Sequence, residues 1–229
     1  MDRAFIFDVF GTLVDWRSGV AEAVGGEVEP LGVDPFLFAD HWRSRYQPAM
    51  ERVRSGGRGY VPLDRLHREN LDETLAHFAV ADRFDEPERD ALNHAWERLP
   101  PWPDVLAGLD ALRPHALLAP CSNGSIALMT RLARFAGLRW DAILGAEVAR
   151  DYKPKPGVYL AACAALGLPP EQVTMVAAHN DDLAAARDAG LRTAFIARTS
   201  EHGPGQVGDL VPEGEWDRVV GTIGELADV

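Results

Sequence analysis

The chain has 229 residues, 47% of them hydrophobic and 25% charged, with a formal net charge of −12. That length holds one generous domain or a core with a smaller insert, and the composition is that of a globular protein in water. The acidity disfavours nucleic acid and anionic membrane as partners, since both require basic surface.

The first element is the run Ala4-Phe5-Ile6-Phe7, which leads directly into Asp8. An apolar run without polar alternation fits a central strand buried on both faces, so Asp8 stands where that strand leaves the sheet. Gly11 and Thr12 then turn the chain and supply a small hydroxyl. Alone, Asp8 reads equally well as a cap for the following segment or as a reactive carboxylate.

After Val14-Asp15-Trp16-Arg17-Ser18 the pattern changes. Asp34-Pro35 is a helix start, and Phe38, Trp42, Tyr46, Ala49 and Val53 follow as one apolar stripe. Pro48 predicts a kink or break inside it. Leu63, Leu66, Leu71, Leu75 and Phe78 mark a second helical pattern, and Pro87 to Leu99 a third. Residues 16–98 therefore read as an all-helical cap domain inserted in a core formed by residues 1–15 and 99–229.

Pro100-Pro101-Trp102-Pro103 cannot be helical, and beyond it strands and helices alternate. Asp104 is expected to cap a helix carrying Val105, Leu109 and Leu112. Strands are expected at Ala116–Cys121, Ala142–Leu144, Val173–Ala178 and Thr193–Ala197. Helices are expected at Ser125–Ala136, Pro156–Leu166, Leu183–Ala189 and, after a Gly- and Pro-rich tail, from about Asp217. This alternation predicts an α/β fold, a Rossmann-like doubly wound parallel sheet. Cys121 and Cys163, the two cysteines, lack metal-ligand spacing and read as packing residues in a reducing compartment. With no window long and apolar enough to cross a membrane, a cytoplasmic enzyme is expected.

Polar residues just after each strand converge on one sheet edge in such folds. Here they are Asp8, then Ser122-Asn123-Gly124, then Lys153, then His179-Asn180-Asp181-Asp182. Asp8 is the best nucleophile among them, because a carboxylate can form and lose an ester. Lys153 can hold it ionised and aimed, with Lys155 the competing lysine. Ser122 or Asn123 either caps the next helix or turns toward an anionic oxygen. Asp182 suits a helix start in any case.

The four motifs in this order, with the inserted helices, resemble the haloacid dehalogenase superfamily and, within it, the type II L-2-haloacid dehalogenases. Phosphatases of that superfamily carry a proton-donating aspartate two residues after the nucleophile and an acidic magnesium ligand four residues before the aspartate that matches Asp182. Here those positions are Phe10 and Ala178, which suits a halide leaving group that needs neither proton nor metal. The resemblance therefore implies hydrolytic dehalogenation of short 2-haloalkanoic acids through an ester on Asp8, with no metal or other cofactor. It assigns halide and substrate contacts to Arg43 in His41-Trp42-Arg43, with Arg45 and Arg17 in reserve, to Asn123, and to Trp42 and Phe10. Thr12 and Ser122 would hold carboxylate and oxyanion, and Tyr159 would position substrate and lysine. His179 stands where family members have asparagine, and Ala177 where they have serine. His179 reads either as a water-positioning base or as a supporting hydrogen-bond partner, and its bulk favours small substrates such as haloacetates. A homodimer is implied as well. The competing readings are a metal-dependent phosphatase or phosphonatase, and a catalytically silent binding protein that keeps the fold.

Overall fold

The computed structural model describes residues 3–228. Its first strand, β1 (Ala4–Phe7), is buried throughout, with a parallel neighbour on each edge and a hydrophobic core on each face. Those neighbours are β2 (Leu117–Ser122) and β4 (Val173–Ala177), with Ile6 opposite Ala119 on one side and Met175 on the other. The sheet continues through β3 (Leu144–Gly145), β5 (Arg192–Ile196) and β6 (Arg218–Val220). Among the described residues the order is β3-β2-β1-β4-β5-β6, and every pairing is parallel.

Helices cover both faces. Ile6, Ala119 and Met175 pack with Val158, Ala162 and Ala186 from α9 (Pro156–Leu166) and α10 (Asn180–Asp188). Phe5, Phe7, Leu118 and Val176 face the larger core, which includes Leu109 of α6 (Val105–Leu112) and Leu132 of α7 (Ile126–Ala136). A short α8 (Ala146–Ala149) links β3 to the loop before α9. The chain builds outward from β1 in one direction to β3, then returns to build β4 to β6 on the other side. Ligands bind at such a reversal, beyond the carboxyl ends of the strands. The Asp8 amide donates to Val176 O at 3.0 Å, which carries the ladder one residue past β1 and fixes the carboxylate at that edge.

Between Trp16 and Glu97 every regular element among the described residues is helical: α1 (Trp16–Val28), α2 (Pro35–Ser44), α3 (Tyr46–Arg54), α4 (Leu63–His77), α5 (Glu86–Asn93) and three 3₁₀ turns. α1 was not assigned from the sequence, although Trp16, Val20, Val24 and Val28 recur every fourth residue and are all buried. Asp15 caps it by accepting from the Ser18 amide. The exit and return segments pair, with Asp15 N donating to Pro100 O and Trp102 N donating to Leu13 O, both at 2.9 Å. On that pairing we propose residues 16–98 as the cap. Among the further bonds that tie cap to core, Arg54 Nη1 donates to the Lys153 carbonyl at 2.7 Å, and Tyr152 Oη donates to Val61 O at 2.6 Å.

Several local expectations change. The break expected at Pro48 falls at Arg45, so Pro48 sits in the first turn of α3, where its missing N–H costs nothing. Asp217 does not start a helix. Its carboxylate accepts from the amide and hydroxyl of Thr193, which pins the next residues as the edge strand β6, and a 3₁₀ turn at Ile223–Ala227 replaces the helix. Asp104 precedes α6 without capping it, because its carboxylate is engaged by Arg198 and by Ile223 N. Ser125, rather than Ser122 or Asn123, caps α7.

Candidate active site

The carboxyl edge of the sheet opens into a cleft of about 700 Å³ between core and cap. Asp8, Asn123, Lys153, His179 and Asp182 line it from the core, and Phe10, Trp16, Arg43 and Tyr46 line it from the far side. The core residues arrive on strand ends: Asp8 after β1, Asn123 after β2, His179 after β4. Lys153 arrives on the loop before α9. The Asn123 Oδ1 atom accepts from the Lys153 amide at 2.9 Å, so one strand end aims the next segment.

Lys153 Nζ lies 2.9 Å from Asp8 Oδ1 and 2.5 Å from Asp182 Oδ2, and all three residues are buried. Charge-assisted hydrogen bonds of this kind are roughly twice as strong as neutral ones. The second Asp8 oxygen, Oδ2, accepts from Thr12 Oγ1 at 2.8 Å and faces His179 Nδ1 at 3.2 Å. Thr12 is itself oriented by the Ala178 amide, which donates to its hydroxyl at 2.9 Å. Burial alone would raise the pKa of Asp8, but Lys153 and His179 outweigh it and hold the carboxylate far below its ordinary range. Asp182 moves the other way, pushed up by burial and by the Asp8 charge against the pull of Lys153. Tyr159 Oη donates to Asp182 Oδ1 at 2.5 Å. Lys155, the competing lysine, is exposed.

Opposite this floor, Arg43 stacks over the rings of Tyr46, at 4.0 Å, and Trp16, at 5.3 Å. Aromatic faces hold the cation without neutralising it. Its Nη1 is buried and meets no hydrogen-bond partner among the described residues. Phe10 is 2% exposed and forms an edge contact with Trp96 at 5.8 Å, making one wall of the cleft apolar.

The sequence-derived residues thus separate into groups. Asp8, Lys153, Asp182, His179, Asn123, Arg43 and Phe10 share the cleft. Thr12 and Tyr159 lie behind it, bonded to Asp8 and Asp182. Ser122 is fully buried and its hydroxyl accepts from the Gly124 amide, so it shapes the turn rather than facing the cleft. Trp42, expected at the substrate, is also buried: its indole donates to His67 O and its ring packs against Trp96 and Phe38 in the cap. Tyr46 and Trp16 take the aromatic places instead. Glu201 was missed altogether. It lies at the start of the Gly- and Pro-rich tail, is 1% exposed, and receives His179 Nε2 at 2.9 Å and Trp16 Nε1 at 2.9 Å. Asn180 was read only as part of a motif. Its side chain donates to Asp209 and Val211 O and accepts from Glu213 N and Trp216 Nε1, which fastens the tail across the cleft mouth.

The family model for a haloacid dehalogenase-like hydrolase matches residues 3–190. The chain belongs to that family. Among relatives of this haloacid dehalogenase-like hydrolase is the (S)-2-haloacid dehalogenase 4A of Burkholderia cepacia, 31% identical over 202 residues, 86% of this chain and 83% of the relative. A solved structure of the defluorinating L-2-haloacid dehalogenase Rha0230 superposes with a TM-score of 0.96 at 47% identity, covering 99% of this chain and 94% of the other. A phosphoglycolate phosphatase of Chromobacterium violaceum is 33% identical over 196 residues, 82% of each chain. The family therefore spans both chemistries, and the residues at the site have to separate them.

Magnesium, used by phosphatases of the family, is a poor fit to these residues. Ala178 offers a methyl group where a carboxylate is needed, and the Lys153 ammonium already sits between Asp8 and Asp182. Among the described residues no group of three or more His, Cys, Asp and Glu side chains is disposed to hold a metal ion.

Proposed function

We propose that the protein is a 2-haloacid dehalogenase that hydrolyses short 2-haloalkanoic acids through an aspartyl ester on Asp8. The observation that carries this reading is the pairing of a buried, ionised Asp8 with an apolar Phe10 where a leaving-group acid would stand. A phenyl ring cannot protonate an alkoxide, whereas a departing halide needs no proton.

Asp8 Oδ1 is the attacking atom. It has one donor, Lys153, while Oδ2 has two, Thr12 and His179, so a free lone pair remains on Oδ1. Attack from the back of the carbon–halogen bond gives an enzyme ester and free halide, with inversion at the carbon. Arg43 and Asn123 stabilise the halide as charge develops on it, and Arg43 also receives the substrate carboxylate. Water then attacks the Asp8 carboxyl carbon beside Asp182 and His179. With Phe10, Tyr46 and Trp16 around the reacting carbon, the cleft favours small substrates such as haloacetates. We further propose a cytoplasmic homodimer, in keeping with the family; no described helix is long and apolar enough to cross a membrane.

Halide release from L-2-chloropropionate, chloroacetate and fluoroacetate, measured in EDTA, tests the proposal. The expected result is metal-independent release with a D-hydroxy acid from the L-substrate. Magnesium-dependent cleavage of p-nitrophenyl phosphate without halide release would overturn it. Asp8→Asn is expected to abolish release, a loss of about 10⁴-fold or more; a chain that merely binds would have no activity to lose.

A further inference from the structure

The imidazole of His179 lies between two carboxylates, with Nδ1 3.2 Å from Asp8 Oδ2 and Nε2 2.9 Å from Glu201 Oε2. Glu201 does not line the cleft and has no route to substrate. Its other oxygen accepts the Trp16 indole N–H at 2.9 Å and faces His202 Nε2 at 3.5 Å. The same carboxylate packs against the turn after the nucleophile. Gly11 has φ +88°, and a methyl group there would collide with Glu201. The glutamate is therefore clamped by Trp16, by the glycine turn and by the imidazole. A buried carboxylate fixed on the far nitrogen of an imidazole, with the near nitrogen at a nucleophile, is an arrangement that orients a general base.

We propose that His179 is the general base of ester hydrolysis, that Glu201 is its positioning residue, and that esterification of Asp8 arms the pair. The inference rests on the ester chemistry proposed above. In the free enzyme Nδ1–H faces a charged Asp8. Burial would lower the pKa of His179, but the Glu201 charge and then Asp8 raise it well above its ordinary value, so the ring is cationic and cannot accept a proton. The other charged groups nearby are Lys153 and Asp182, on the opposite side of Asp8, and Arg43 and His202, which act on Glu201.

Alkylation forms the bond from Asp8 Oδ1 to the substrate carbon and breaks the carbon–halogen bond, whose electron pair leaves with the halide. The negative charge on Asp8 disappears. His179 then faces one carboxylate instead of two and releases its Nδ1 proton to solvent. The freed Nδ1 takes a proton from water as the water oxygen bonds to Asp8 Cγ. Collapse of the adduct breaks the Cγ–Oδ1 bond, and the departing alkoxide takes the second water-derived proton. Asp8 is again a carboxylate and His179 again a cation. One haloacid and one water have become one hydroxy acid, one halide and one proton.

Rapid-quench single turnovers with chloroacetate, reading halide and the mass of the Asp8-containing peptide in the same samples, test this. Glu201→Gln should keep a halide burst near one equivalent per site while slowing ester hydrolysis about 10-fold to 10³-fold, and His179→Asn should accumulate the ester with a slowing of about 10²–10⁴-fold. In Glu201→Gln the pH profile of the hydrolysis phase should also move to lower pH, because the imidazole has lost a charge that raises its pKa. A purely structural Glu201 would leave that profile in place. Hydrolysis at the wild-type rate and pH profile in both variants, or loss of the halide burst together with hydrolysis, overturns the inference. A wild-type protein that releases no halide from any haloacid overturns the dehalogenase reading instead, so the two failures are distinct.

Discussion

The floor and the roof of the cleft are built on opposite principles. On the floor each ionisable group is matched: Lys153 by Asp8 and Asp182, His179 by Asp8 and Glu201, and Asp182 additionally by Tyr159. In the roof, Arg43 Nη1, both ring nitrogens of His67, the Asn70 amide and Trp96 Nε1 are buried without a hydrogen-bond partner among the described residues. Aromatic rings surround them, with His67 stacked on Trp96 at 4.4 Å. Burial, with the charge of Arg43 adding to it, keeps His67 neutral by lowering its pKa well below the ordinary value. On the reading proposed above, the floor is organised in advance for bond making and breaking. On the same reading, the roof keeps the Arg43 cation free for an incoming anion, since a cation already paired would have to give up its partner first.

The comparison can be broken most severely at Lys153. Lys153→Met leaves two buried carboxylates without their shared cation, and such a loss is expected to cost about 3–5 kcal/mol of stability along with nearly all halide release. Thermal unfolding beside activity measures both. In the roof, Arg43→Lys should behave differently: stacking and the planar fork are lost, so kcat/KM should fall about 10-fold to 100-fold while Tm stays close to wild type. Equal stability losses at the two positions would erase the distinction.

A third expectation concerns pH. The folded-state pKa of His179 is raised, so its stabilising contribution is complete below the unfolded histidine value, about 6.5, and declines as pH rises toward the folded value. Wild-type stability should therefore fall with pH above that point by at most about 1.4 kcal/mol per unit, and denaturant titrations of His179→Asn should lack this slope. The smallest effect is expected at Trp42, where Trp42→Phe removes the bond to His67 O, costs about 1 kcal/mol, and leaves kcat/KM within about two-fold of wild type.

The sheet was legible because buried parallel strands must be apolar throughout and must be followed by turns. Asp8, Asn123, Lys153 and His179 could be found by reading what comes after each strand. Trp42 was misplaced because a helical stripe shows which residues point inward, but not whether inward means the cleft or the cap interior. Glu201 left no signal. Its role depends on a tail without periodicity folding back over the first loop, and a lone glutamate among glycines and prolines is indistinguishable from a solvated one. The edge strand β6 was missed for a similar reason, since the carboxylate of Asp217 can start a helix or bind a neighbouring strand, and only Thr193 decides between them.

The bond from Arg54 to the Lys153 carbonyl has a kinetic meaning as well as a structural one. The cap cannot swing away from the core without giving up its bond to the peptide that carries the ammonium. On the reading proposed above, admission of substrate and alignment of the nucleophile share one contact, because the peptide that Arg54 holds is the one whose ammonium supports Asp8. On that reading, water cleaves the ester inside the cleft, and the hydroxy acid and halide are what must pass the latch.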